Sequence, residues 1–397
     1  MTFLVGEPAG LAEARRAPAW PPFAAEVLAF LESFAHRLVN RPEARVWPDV
    51  ATLGFWCRRA SLEQMKAAYP DPAGRLGRGL AFHVAPANVA VNFAYSLIAG
   101  LLAGNANVVR VPARDFPQVE LIRRALAEAL AEHGALRPYV FLVRYGRQAE
   151  INDALSALCD ARLVWGGDAT ISALRRSPLP PRAVELTFAD RYSLAVIEAD
   201  RYLEMADAAE VAARFYNDTL LTDQLACTAP SLVVWLGRET ERARARFWTE
   251  FEKPAAARYS LQPALAVARL TAFCALAAEF EGVTRVGRPD GPLFRVQVPS
   301  LAEAMLAERP GGGYFLEYEA RSLKEILPVC GRRCQTLAAL GLDRAELADF
   351  LNRHRPAGLD RVTPFGRTLD FTLQWDGHDL IYALSRARVF PRGANII

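Results

Sequence analysis

The sequence predicts an α/β protein with a parallel-sheet domain covered by helices and at least one further domain. Three observations lead there. Strand and helix signals alternate between residues 80 and 176. A run from 79 to 109 contains no Asp, Glu, Lys or Arg, as expected of elements buried on both faces. And 397 residues exceed the size at which a single core stops growing.

Residues 1–75 read as largely helical, with breaks at 18–22 and 42–48 and a stop at Tyr69-Pro70-Asp71-Pro72. A strand is expected over 80–85 and a helix over 89–103, which has no charged face and so is buried on most sides. Gly104-Asn105 stops that helix, and 106–111 reads as a second strand. An amphipathic helix follows over 117–132, with Glu120, Arg123, Arg124 and Glu128 outward. Then come a strand at 139–143, a helix at 149–158, a strand at 163–165 and a helix opened by Gly166-Gly167-Asp168 and running to 176. Such alternation implies crossovers and a parallel sheet covered by helices on both faces. Further strands at 193–198 and 231–236 flank a helix at 201–219; after Gly237 the chain reads as helical to about residue 280, then as shorter mixed elements. The expected organisation is a helical region 1–75, a parallel-sheet domain 76–200, a second domain 201–357, and a segment 358–397 that returns to the parallel-sheet domain or serves an oligomer interface.

The uncharged run is long enough to span a bilayer, but Pro86, Asn88, Asn92, Asn105 and Asn107 interrupt it. A soluble protein with no membrane span is therefore expected. No basic region followed by an apolar core opens the chain, and six irregularly spaced cysteines read as reduced thiols, so a cytoplasmic location is expected. A formal net charge of +3, with 23% charged and 52% hydrophobic residues, excludes wholesale disorder and gives no reason to expect nucleic-acid binding. Only three of the basic residues are lysines, Lys66, Lys253 and Lys324, which leaves few candidates for Schiff-base chemistry.

Four features carry chemistry. Cys227, in FYNDTLLTDQLACTAP (215–230), sits among small residues between a helix end and a strand, where a thiolate nucleophile has room. A buried, inert thiol is the commoner fate of a cysteine. Asn88 follows the 80–85 strand; it can cap the next helix or aim its amide at a developing oxyanion. Arg110 and Arg114 lie just beyond a strand, where parallel sheets bind ligands and a guanidinium fork suits phosphate. Gly166 and Gly167 open a helix whose N–H groups favour phosphate. Cys330 and Cys334 are paired but lack the further ligands a zinc site needs, and no metal is expected. His83, on the strand near the proposed site, reads as structural.

With these four features in this order, the sequence resembles the LuxC-type acyl-CoA reductases, the fatty-acyl reductase component of bacterial bioluminescence and its relatives, within the aldehyde dehydrogenase superfamily. Three blocks carry the likeness: GRGLAFHVAPANVAVNFAYSLIAGLLAGNANVVRVPARD (77–115), RFYNDTLLTDQLACTAPSLVVWLG (214–237) and GLDRVTPFGRTLDFTLQWDGHDLIYALSR (358–386). The resemblance implies an aldehyde-dehydrogenase-like fold with a Rossmann-type cofactor domain. It implies Cys227 as the catalytic thiol and Asn88 as an oxyanion donor beside the Cys227 N–H. Arg110 falls where the superfamily has a cofactor-binding lysine. Arg114 falls near a ribose-binding glutamate of NAD-specific members, so a cation there suggests a 2′-phosphate and NADPH. Gly166 and Gly167 match the phosphate-side helix start, and Glu325 matches a glutamate that contacts the nicotinamide ribose.

The implied reaction is NADPH-dependent reduction of an acyl thioester, from acyl-CoA or acyl-carrier protein, to the aldehyde through an acyl-cysteine. An acyl-activating synthetase or acyltransferase subunit is the implied partner, and a homo-oligomer the implied assembly. Two departures stand out. Glu185-Leu186 is followed by Thr187-Phe188, so the Glu-Leu-Gly-Gly segment of water-activating dehydrogenases is incomplete, which fits a reductive direction. The chain is also shorter than typical bioluminescence reductases, chiefly before residue 77. The alternatives are an oxidising aldehyde dehydrogenase, a Cys-dependent acyltransferase or thioesterase, and a catalytically dead scaffold.

Overall fold

The computed structural model describes residues 1–70, 72, 74–86, 89–287 and 291–388. The chain divides into two units, Met1–Ala189 with Phe371–Ile397, and Asp190–Asp370.

The first unit is built on a six-stranded sheet in the order Thr2–Val5, Val140–Arg144, Ala106–Arg110, Leu80–Val84, Ala161–Trp165, Val184–Phe188. All neighbours pair in parallel except Thr2–Val5, which runs antiparallel to Val140–Arg144 at the edge. The three central strands are buried almost throughout, which is why their sequence is a continuous apolar run rather than an alternating one. Helix Asn92–Leu102 is buried at every position and crosses between the two middle strands. It begins at Asn92 rather than at 89, with Val91 as its N-cap. The region before residue 75 is no separate body: the apolar face of helix Ala25–Val39 joins the same core as the sheet. The short Thr2–Val5 strand carries no periodicity that could separate it from helix in sequence. At the other end of the chain, Ser385–Ala387 pairs antiparallel with Arg75–Gly77.

A seven-stranded sheet forms the second unit, in the order Thr284–Val286, Phe294–Gln297, Tyr314–Ala320, Pro230–Leu236, Tyr192–Glu198, Cys334–Leu340, Arg361–Pro364. It is parallel apart from the first hairpin. The domain break expected near residue 200 falls too late. Tyr192–Glu198 pairs with Pro230–Leu236 and Cys334–Leu340, so this strand opens the second unit instead of closing the first. The helix expected over 201–219 is two, Ala199–Glu204 and Ala208–Asp218. Asp207 separates them, its carboxylate capping the second helix by accepting from the Glu210 N–H at 2.8 Å. Likewise the long helical stretch after Gly237 splits into Thr240–Arg258 and Pro263–Glu279, with Pro263 in the first turn of the later helix, where a missing N–H costs nothing.

Candidate active site

In the first unit, the residues singled out for cofactor binding, Glu325 apart, stand at or just beyond the carboxyl ends of two parallel strands with one strand between them. Arg110 ends Ala106–Arg110, and Gly166 follows Ala161–Trp165. Asn88, expected just beyond the strand between these two, lies outside the described residues. Arg110 donates to the Gly146 carbonyl at 2.7 Å, with its guanidinium 4.6 Å from the Tyr145 ring centroid. It thereby locks the exit of the neighbouring strand. Arg114 is exposed, its guanidinium over the Phe116 ring. Gly166 does not offer its N–H to a ligand, because that group donates to Phe188 O at 3.1 Å and extends the sheet. Gly167 is the exposed N-cap of helix Asp168–Leu174, and a Cβ there would meet nothing within 4 Å. Open space at this edge thus lies over Gly167.

Behind the edge runs a buried chain of polar groups. His83 Nε2 bonds Asn107 Oδ1 at 3.0 Å, and Nδ1 bonds the Ser96 hydroxyl at 2.7 Å. The Asn107 amide is oriented by its own donation to Asn105 O at 2.7 Å. Nε2 therefore carries the proton, and Nδ1 accepts from Ser96. The Ser96 oxygen in turn accepts the Trp165 indole N–H at 3.0 Å. Complete burial pushes the His83 pKa down to about 4, against the Asn107 hydrogen bond. His83 is a neutral, satisfied core residue.

Glu185, in the incomplete water-activating segment, is held by Arg162 (Nε–Oε2 2.9 Å) and Arg175 (Nε–Oε1 2.7 Å). Burial works to raise its pKa, but the hydrogen bonds from Arg175 and Arg162 outweigh it and keep the group a carboxylate. A carboxylate clamped between two guanidiniums is a poor base.

In the second unit the thiol stands at the opposite kind of edge. Cys227 is half-buried and precedes Pro230–Leu236, at the amino ends of the parallel strands. Its carbonyl accepts from the Ser193 hydroxyl at 2.7 Å, and its Sγ accepts from Gln335 Nε2 at 3.5 Å. Ser193 and Gln335 lie near the amino ends of the next two strands in the sheet, and Arg361 opens the one after. The Arg361 guanidinium is fixed by the carbonyls of Thr368 (2.7 Å), Arg367 (2.9 Å) and Asp370 (2.9 Å). Burial lowers its pKa, opposed chiefly by Asp370 and Asp218 and also by Cys227, whose thiol lies within its electrostatic reach. The loop that supplies these carbonyls is pinned from below. The Asp218 carboxylate accepts the Gly366 N–H (2.6 Å), the Thr368 N–H (2.9 Å) and the Thr368 hydroxyl (2.9 Å). Burial raises the Asp218 pKa to about 6 despite these donors.

Glu325 is not brought to this edge. It accepts from the Tyr318 hydroxyl at 2.8 Å and the Arg321 N–H at 3.0 Å, and the Tyr318 bond leads in lowering its pKa. Tyr318 stands in the carboxyl half of Tyr314–Ala320 and Arg321 just beyond it, about 13 Å and about 23 Å along the strand from its amino end at roughly 3.3 Å per residue. Cys330 and Cys334 are buried, the Cys330 thiol donating to Ile326 O at 3.1 Å. Sequence reading found Cys227 but neither Ser193, Gln335 nor Arg361, since each is ordinary in its own segment and only strand order unites them.

The family model for acyl-CoA reductase (LuxC) matches residues 55–289, more than half of the chain and inclusive of Cys227, Arg110, Arg114 and Gly167. No curated protein matches the sequence. Among solved structures, the chain is similar to AldA, an indole-3-acetaldehyde dehydrogenase from P. syringae in complex with NAD+, with a TM-score of 0.66 at 14% identity over 95% of this chain and 86% of that one. It is similar to an NAD-dependent benzaldehyde dehydrogenase from Corynebacterium glutamicum (TM-score 0.64, 14% identity, 96% and 88% covered). A third is the Delta-pyrroline-5-carboxylate dehydrogenase from Mycobacterium tuberculosis (TM-score 0.63, 15% identity, 98% and 84% covered). Identities this low establish the fold alone, and that fold is the aldehyde dehydrogenase one. Taken with the family match, they make the chain a member of the LuxC acyl-CoA reductase family, an oxidoreductase with the aldehyde dehydrogenase fold.

Proposed function

We propose that this protein reduces an acyl thioester, presented as acyl-CoA or on an acyl-carrier protein, to the aldehyde with NADPH, through an acyl-cysteine on Cys227. The observation that carries the reading is the half-buried Cys227 thiol, hydrogen-bonded at Sγ by Gln335 and near the Arg361 cation, in a chain of the acyl-CoA reductase family. The Cys227 thiolate attacks the thioester carbonyl; the new sulfur–carbon bond forms, the carbon–sulfur bond to the carrier breaks, and the carrier leaves as a thiolate that takes up a proton. Asn88 and the Cys227 N–H are the oxyanion donors in this reading, and one such donor is typically worth about 10²–10³ in rate. Reduction of the acyl-cysteine then returns the thiolate and releases aldehyde. Glu185 is held as a carboxylate by Arg162 and Arg175, which supports reading its incomplete segment as one without a water-activating role, in keeping with a reductive direction.

Two features of the first unit support a nicotinamide dinucleotide at its carboxyl edge: Gly167 opens onto free space and Arg114 is an exposed cation beyond Ala106–Arg110. When bound, the reduced nicotinamide supplies a hydride equivalent to the acyl carbon. Arg114 would favour a 2′-phosphate by charge, Gly167 would give backbone access to the pyrophosphate, and Arg110 would hold the strand exit that shapes the edge. The same reading places the protein in the cytoplasm as a homo-oligomer, supplied by an enzyme that activates or transfers acyl groups. No helix among the described residues is long and apolar enough to cross a membrane. The test is the stoichiometry of turnover with acyl-CoAs of graded length. One NADPH consumed, one CoA thiol freed and one aldehyde formed supports the reductase. CoA freed without NADPH consumption would replace it with a thioesterase or acyltransferase.

A further inference from the structure

The side chain that touches the Cys227 sulfur comes from a place where the sheet loses its register. Cys334 pairs with Tyr192 and Thr336 with Ser193, so Gln335 has no opposite number in the neighbouring strand. An extra residue of this kind re-aims its side chain, and such irregularities recur beside active sites. Here the re-aimed amide donates from Nε2 to Cys227 Sγ at 3.5 Å, a contact distance for the large sulfur atom. A second irregularity adjoins it: Ser193 pairs with Pro230 but Leu194 with Leu232, and Ser193 is the residue whose hydroxyl holds the Cys227 carbonyl. Two breaks in register therefore converge on one cysteine, the first gripping its sulfur and the second its backbone. Gln335 is only 2% exposed, so its amide is held by packing.

We propose that Gln335 is a positioning residue for the nucleophile: its side-chain N–H stabilises the Cys227 thiolate and fixes Sγ at the amino edge of the second sheet. Gln335 lies beyond the segment matched by the family model, and the assignment rests on the reading of Cys227 as the nucleophile. A hydrogen bond to an anion is about twice as strong as one to a neutral partner. Deleting the donor disfavours the thiolate more than the thiol and raises the pH at which Cys227 ionises.

The experiment follows the alkylation of Cys227 by iodoacetamide against pH, with the modified peptide identified by mass spectrometry, in the unsubstituted protein, in Gln335→Met and in Gln335→Glu. Gln335→Met keeps the volume and removes the donor; it is expected to move the midpoint up by about one pH unit, so that alkylation below the midpoint falls about tenfold, while the plateau at high pH stays within a factor of three. Gln335→Glu sets an anion beside the sulfur and is expected to move the midpoint further in the same direction. Midpoints that coincide with the unsubstituted protein, in whichever variant retains its far-ultraviolet circular dichroism and melting transition, would overturn the assignment. Because alkylation needs no acyl-CoA, a shifted midpoint in a protein that no thioester acylates would leave the Gln335 role standing and remove the reductase reading.

Discussion

The two units of this chain are both mostly parallel sheets, yet they place their chemistry at opposite strand ends. In the first, Arg110 and Gly167 stand where strands finish, at the edge that parallel sheets ordinarily offer to ligands. In the second, Cys227, Ser193, Gln335 and Arg361 stand where four neighbouring strands begin. The first kind of edge is built from backbone and glycine and suits an extended anionic ligand. The second is built from side chains that converge on one sulfur atom and suits a covalent step. The two units also bury titratable groups whose pKa values move in opposite directions: burial lowers that of His83 in the first and raises that of Asp218 in the second.

Four substitutions or conditions test that contrast, from the largest expected effect to the smallest. Cys227→Ala is expected to abolish aldehyde formation, a loss beyond about 10³, while leaving nicotinamide binding by fluorescence titration within twofold; loss of both would merge the two edges into one function. Glu185→Ala strips the buried Arg162 guanidinium, 2% exposed, of its carboxylate. It is expected to lower the stability of the first unit by about 3–5 kcal/mol in denaturant unfolding, while the alkylation rate of Cys227 in folded protein stays unchanged.

The third test is a pH titration of melting temperature, where the units should answer with opposite signs. His83 has a folded pKa of about 4, below its ordinary 6.5. The folded first unit therefore binds fewer protons than the unfolded chain in that window, and its stability falls by about 1.4 kcal/mol per unit as pH drops from 6.5 to 4. Asp218 has a folded pKa of about 6, above its ordinary 3.8. Its contribution is fully present below 3.8 and is lost as pH rises to 6. His83→Gln should flatten the first slope and Asp218→Asn the second; equal slopes in all three proteins would contradict the contrast. The smallest effect belongs to Arg114→Ala, expected to raise the KM for NADPH about tenfold and leave that for NADH unchanged, since one surface charge contact with a phosphate is worth about 1–1.5 kcal/mol.

The first unit was the more legible in sequence, for a physical reason. Its central strands are buried on both faces and its crossover helix on all sides, so 79–109 carries no charge and declares both its burial and its alternation. Its edge strand Thr2–Val5 was missed because four residues hold no period. In the second unit the elements were legible but their ends were not: Asp207 and Pro263 break helices that propensity alone runs together. The thiol itself stood out only in company with Asn88, Arg110, Arg114 and the glycine pair 166–167, since its small neighbours alone fit an inert core cysteine equally well. Its partners did not, because Ser193, Gln335 and Arg361 are 34, 108 and 134 residues from it in sequence and meet it only through the strand order. Glu325 shows the converse. Its segment, Lys324-Glu325-Ile326-Leu327-Pro328, resembles a ribose-binding one, yet its carboxylate is engaged at the carboxyl end of the sheet by Tyr318 and Arg321.

The most direct test of the account is the intact mass of the protein after mixing with an acyl-CoA, before and after addition of NADPH. An acyl adduct of one equivalent, mapped to Cys227 and cleared by NADPH with release of aldehyde, is the predicted result. An adduct at another residue, or one on Cys227 that NADPH leaves in place while water clears it, would contradict it.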